Sequence, residues 1–228
     1  MEATLAEKFA LYFVMLGSLS VHEFAHAWAA DKLGDHTPRS QGRVTLNPLA
    51  HIDLLGTVLI PIVFILFSPG FALLGWGRPV IINPKNFKRP ILGDCLSTAA
   101  GPLSNLVLAL LVAVLFGLWI AFSGATGALG KIVTLGGMVI YLNVLLAVFN
   151  LIPIPPLDGS HFLRYIVGMG EEAYIRFAQW GTLILILLIN FDPFMIFFQT
   201  VVAFCSAPFV MLMSQIASIL TGAPAAGL

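Results

Sequence analysis

Six apolar stretches, at residues 8–31, 52–74, 94–122, 132–154, 177–191 and 194–220, most constrain what this chain can fold into. A membrane-spanning helix needs about 20 mostly apolar residues, and most of these stretches reach that length. Only 10% of the 228 residues are charged and 59% are apolar, whereas roughly a quarter of a soluble domain is charged. The expectation is an all-α polytopic membrane protein with about five to six transmembrane helices. The polar stretches 31–51 and 76–92 are too short to build a soluble core. Net charge is zero, so no basic field points to nucleic acid. Asp192-Pro193 separates the last two stretches, because proline lacks the donor that a continuing helix needs. Cys95 and Cys205 lie in or beside apolar segments, which argues against a disulfide framework or a thiolate metal site. The first apolar run is too long for a cleavable signal peptide, and cleavage would discard the motif it carries.

That motif is "HEFAH", residues 22–26. Ionisable groups inside a bilayer are costly and usually face a protein interior, where they act. On a helix, positions i and i+4 lie about 40° apart around the axis and about 6 Å along it, so His22 and His26 can reach one ion. Glu23 lies roughly 100° around, close enough to hold a water at that ion. Two histidine ligands with an adjacent glutamate base is the arrangement of zinc hydrolases. Such enzymes take a third protein ligand and leave one position open. Most acidic residues downstream sit where solvated charges belong. Asp158 differs, because it follows an apolar helix unwound by Pro153, Pro155 and Pro156. Unwound backbone at membrane depth is tolerated only inside protein or along a watery cavity. Gly159 permits a tight turn there. Asp158 reads as a ligand, with a helix-capping aspartate as the bland alternative. His36 and His51 flank a polar loop and read as surface histidines. His161 reads as a group that orients Asp158, and Asn105 as interhelical glue.

"HEFAH" in an apolar helix, followed by "NLIPIPPLDG" at residues 150–159 and with "AGPLSN" at 100–105 between them, resembles the site-2 protease family of intramembrane zinc metalloproteases. The resemblance covers roughly residues 10–165. It implies one zinc ion per chain held by His22, His26 and Asp158, with Glu23 activating a water. It also implies substrate contacts from Asn150, and a facing position is open to Asn105. It implies a single membrane-embedded metalloprotease domain over 1–228, with a catalytic core at about 8–165 and C-terminal helices at about 177–220. No segment is long enough for an inserted PDZ or nucleotide-sensing domain, so the chain looks like a minimal form. The substrate implied is a transmembrane protein or peptide within the lipid bilayer of a prokaryotic cell. Natural substrate and oligomeric state are not written in the sequence. The alternatives are a CAAX-type membrane metalloprotease, with Glu171 or Glu172 as third ligand, and a zinc transporter or sensor.

Topology follows from where the ligands must meet. If 52–74 spans the membrane, the ends of the first and fourth apolar helices lie on opposite sides. If it re-enters, loops 31–51, 76–92 and 157–177 share one side. That side then carries Lys32, Arg39, Arg43, Arg78, Lys85, Lys88, Arg89, Arg164 and Arg176, against Lys8 and Lys131 on the other. The positive-inside rule favours re-entry, with the site toward the cytoplasm. Within 76–92, "PVII" is β-prone and "NPKN" signals a turn. The stretch is either a β-like loop that pairs with substrate by edge addition or an ordinary basic interfacial loop.

Overall fold

The structure is a computed structural model that describes residues 4–67, 75–123 and 129–221. Helices dominate, and no strand occurs among the described residues. The chain divides into two compact units, Met1–Ser104 and Asn105–Leu228.

In the first unit, α1 runs over Leu5–Leu33. Thr4 caps it reciprocally with Glu7, each side chain bonding the other's backbone N–H. Gly34 closes it with φ of 112°, a left-handed conformation that favours glycine. Leu11, Met15, Leu19, His22, His26 and Ala30 are buried on α1. Their spacing of three to four residues makes them one stripe, so both histidines lie on the packed face rather than toward lipid.

Residues 54–67 form α2, which opens on a π-helical turn over Leu54–Leu59 and continues as Ile60–Phe67. Asp53 caps it by accepting from the N–H groups of Leu55 and Gly56. Fourteen residues of helix rise about 21 Å, short of the roughly 30 Å hydrocarbon core. Residues 68–74 of the expected re-entrant segment lie outside the described residues. Beyond them the chain is back where α2 began. The Trp76 N–H donates to the Gly56 carbonyl at 3.2 Å, and Thr57 Oγ1 donates to the Trp76 carbonyl at 2.7 Å. The two described ends of the segment are thus bonded together, as a return to the same side requires. Tyr12 Oη ties α1 to the same place through the Thr57 carbonyl, at 2.9 Å. Tags at residues 45 and 86 are therefore expected to label from one face of the membrane, and labelling from opposite faces would refute the return.

The loops around α2 are held by side chains rather than by regular structure. Residues 75–83 take neither helix nor strand. Asp31 pairs bidentately with Arg39, at 2.8 and 2.6 Å, and contacts His36. Asp35 is fully buried. It accepts from Thr37 N–H and Oγ1, from Asn83 N–H and from Asn86 Nδ2, at 2.6–3.1 Å, stapling the end of α1 to the 83–86 turn. Burial pushes its carboxyl up, but the bonds from Thr37, Asn86 and Asn83 outweigh it and hold the carboxyl below the usual aspartate range. A depressed folded value contributes stability above the unfolded value of about 3.9. That stability fades as pH falls through the folded value. Asp35→Ala leaves several buried donors without an acceptor. We expect a loss of about 2–3 kcal/mol, read as a lower thermal midpoint and faster amide exchange over residues 83–86 at neutral pH.

Besides short helical turns at Thr37–Ser40, Pro48–Ala50 and Pro84–Asn86, the remaining helices among the described residues are α3 (Pro90–Ser123), α4 (Leu129–Asn150), α5 (Gly159–Ile166), α6 (Glu171–Ile189) and α7 (Asp192–Thr221). Among the described residues, three stretches are long and apolar enough to cross a membrane: Pro90–Phe122, Glu171–Ile189 and Asp192–Leu220. The break between α6 and α7 falls at residues 190–191, directly before the Asp192-Pro193 pair that opens α7. In the second unit, Ala109, Ala113 and Ile120 of α3 pack with Ile140 and Val144 of α4 and with Phe198, Val202 and Met213 of α7. Small residues let these backbones close up. A Cβ on Gly136 would lie 2.7 Å from the Phe116 ring and 2.8 Å from Met213 Sδ. Asn105 Nδ2 donates to Asn143 Oδ1 at 3.2 Å between α3 and α4, the interhelical glue expected of it.

Candidate metal centre

His22 and His26 project from the buried stripe of α1, 3% and 6% exposed. Their Nε2 atoms lie 3.0 Å apart, with the rings edge to face. Two nitrogens about 2.0 Å from one tetrahedral ion would lie about 3.3 Å apart. His26 Nδ1 sits 2.8 Å from the Ser97 carbonyl on α3. A carbonyl can only accept, so Nδ1 carries the proton and Nε2 of the neutral ring presents its lone pair. A backbone acceptor behind the ring is the usual way a metal-binding histidine is oriented.

α3 reaches this close because of Gly101. A Cβ there would lie 2.7 Å from His22 Cε1 and closer still to His26 Nε2. Pro102, inside the helix, removes one ladder N–H and loosens the turn that faces the imidazoles. A buried pair of imidazole nitrogens, one of fixed tautomer, against a bare glycine backbone fits a zinc ion.

Glu23 is half-buried and lies against Gly77. A Cβ on Gly77 would stand 3.6 Å from Glu23 Oε1 and 3.4 Å from the His51 carbonyl. The Arg78 N–H donates to that carbonyl at 2.8 Å. His51 is thus no surface residue. It is 2% exposed and donates from Nε2 to the Thr45 carbonyl. The sequence places it in a polar loop, and loop polarity does not reveal that residues 78–79 bond back to that loop. His36 is the exposed residue expected of it. Arg43 is also buried and bonds the carbonyls of Ala50, Arg78 and Pro79. Burial and the Arg78 charge pull its guanidinium below the ordinary value, while the Glu23 carboxylate opposes them.

Asp158 belongs to the second unit. After Asn150 the chain winds through tight turns, with Ile154 N–H bonded to the Ile152 carbonyl and Leu157 N–H to that of Ile154. Gly159 allows this, since a Cβ there would lie 2.5 Å from the Ile152 carbonyl oxygen. Gly181 of α6 gives way to the same turn, and its Cβ would lie 2.7 Å from the Pro155 carbonyl carbon. Asp158 occupies the cap position of α5, yet its side chain makes no capping bond. The capping alternative therefore fails. Asn150 Nδ2 bonds the Leu146 carbonyl within α4 at 2.9 Å, and His161 stacks edge-on against Tyr174.

Apolar helices around a paired-histidine, glutamate-flanked centre define a membrane metallohydrolase. The sequence model of Peptidase family M50 matches residues 118–190, a stretch that contains Asp158. The chain is 37% identical over 189 residues, 80% of each chain, to "Putative zinc metalloprotease YwhC" of Bacillus subtilis (strain 168). Two Rip2 proteins described in the same words are also similar. That of Mycolicibacterium smegmatis is 35% identical over 76% of this chain and 64% of its own length. That of Mycobacterium tuberculosis (strain H37Rv) is 32% identical over 78% and 65%. No solved structure matches the chain. The chain belongs to the M50 family, the site-2 protease family of zinc metalloproteases.

Proposed function

We propose that this zinc metalloprotease hydrolyses peptide bonds in or near the transmembrane segments of other membrane proteins, with His22, His26 and Asp158 as zinc ligands. The observation that carries this reading is the buried imidazole pair on an apolar helix, with its tautomer fixed and Gly101 clearing the space before it. Two imidazoles and one carboxylate complete a three-ligand set with one open position, which suits catalytic zinc. Asp158 is favoured over Glu171 or Glu172 by the motif it ends and by the family. Both glutamates are exposed in the first turn of α6.

Zinc, when bound, lowers the pKa of a water and polarises the scissile carbonyl. The chain's own residues do the rest. Glu23 takes the proton of the attacking water on a carboxylate oxygen and delivers it to the leaving amine. The stretch from Trp76 to Val80 runs beside Glu23, and an unwound substrate segment would lie along it. Asn150 is proposed as a further substrate contact, whereas Asn105, fully buried and bonded to Asn143, is left to its interhelical role. All of 1–228 acts as one catalytic domain in a bacterial cell membrane, with the site toward the cytoplasm. The nine-to-two distribution of Lys and Arg supports that side.

Zinc content per chain in detergent tests the ligand set. Wild type is expected to hold about one zinc, Asp158→Ala far less, and Glu171→Ala as much as wild type. Full zinc retention in Asp158→Ala would overturn the assignment.

A further inference from the structure

Arg43 lies in the loop after α1 and is 4% exposed. A buried guanidinium normally has a carboxylate beside it. Among the described residues Arg43 makes no ion pair, and its hydrogen bonds run to backbone carbonyls. It donates to Ala50, to Arg78 at 2.8 Å and to Pro79 at 2.8 Å. A rigid fork of five donors is well suited to spanning carbonyls from two separate segments at once. The neighbouring bonds have the same effect. His51 accepts the Arg78 N–H at its carbonyl, while Trp76 is held at both its N–H and its carbonyl by Gly56 and Thr57. At Trp76 and Arg78 both backbone groups are therefore used within the chain. Gly77, between them, stands against Glu23.

We propose that Arg43 is a positioning residue that sets the place of residues 76–79 against Glu23, and with it the depth at which a substrate meets the reacting atoms. Arg43 touches neither substrate nor metal and acts through the segment it holds. The proposal rests on the protease reading above, because it takes Glu23 to be the proton carrier.

The test uses the full chain in detergent, comparing wild type with Arg43→Gln and Arg43→Lys. Three quantities are read: zinc per chain, amide hydrogen exchange over residues 76–82, and kcat and KM on a transmembrane reporter peptide. The reporter is one that wild type cuts and Glu23→Gln does not. Arg43→Gln is expected to keep its zinc, to exchange about 10-fold faster at Trp76 and Arg78, whose N–H groups are bonded to the Gly56 and His51 carbonyls, and to lose about 10–100-fold in kcat with little change in KM, as a small misplacement does. Arg43→Lys keeps the charge and one of the bonds, so it falls between the two in both exchange and kcat. Faster exchange with unchanged kcat would make Arg43 merely structural and overturn the proposal, as would unchanged exchange. If Arg43→Gln does not fold, the same outcomes in Arg43→Lys decide. A reporter cut equally well by Glu23→Gln would overturn the function reading instead, and the exchange data would still show whether Arg43 holds the segment.

Discussion

Glu23→Gln is expected to lower peptide hydrolysis by about 10³-fold or more while zinc content stays at the wild-type level. The amide keeps the size of the carboxylate and its place against Gly77, but it cannot take a proton. Glu23 is not counted among the zinc ligands, so the ion should remain. Equal loss of zinc and activity would mean that Glu23 holds the metal. Retention of both would remove the proton carrier from the proposal and leave the transporter or sensor alternative standing.

Gly101→Val should act in the opposite way, by removing the metal. Even a methyl group at this position would stand 2.7 Å from His22 Cε1 and closer to His26 Nε2. Imidazoles can usually swing aside, but the Nδ1 bond to the Ser97 carbonyl holds His26 on α3. Relief must come from breaking that bond or from parting α1 and α3. We expect zinc content to fall by at least about 10-fold, as for loss of groups that orient metal ligands, with helical content retained. Full zinc content in Gly101→Val would show that the two helices approach less closely than described. Gly117→Ala is a useful comparison, since Gly117 packs against Met213 and Ile216, away from the histidines. It should cost stability without affecting zinc selectively.

Much of this was legible in the sequence, for particular reasons. The length of the apolar stretches announced the helices, because hydrocarbon thickness sets a scale that composition shows directly. The spacing of His22 and His26 gave their shared reach, because helix geometry is fixed. The break at Asp192-Pro193 followed from the missing donor of proline. What the sequence hid were contacts between segments distant along the chain. Gly101 stands in "AGPLSN", and nothing local says that its neighbours are the two imidazoles. His51 sits in a polar loop and reads as a surface residue, and Arg43 counts there only as a loop charge, because the bonds from residues 78–79 that bury them come from far along the chain. The β-prone "PVII" takes no strand among the described residues, because its neighbours Trp76 and Arg78 bond to a loop and a helix end rather than to a parallel partner.

The loops beside Glu23 are ordered by a small set of polar bonds, from Asp35, Arg43, His51 and Thr57, and not by helix or strand. Circular dichroism is therefore blind to them. A preparation extracted in harsh detergent or held in acid could lose these ties and keep its full helical signal. An inactive but fully helical sample would then report damage done during purification, and amide exchange over residues 76–86 is the observable that tells such a sample from an intact one.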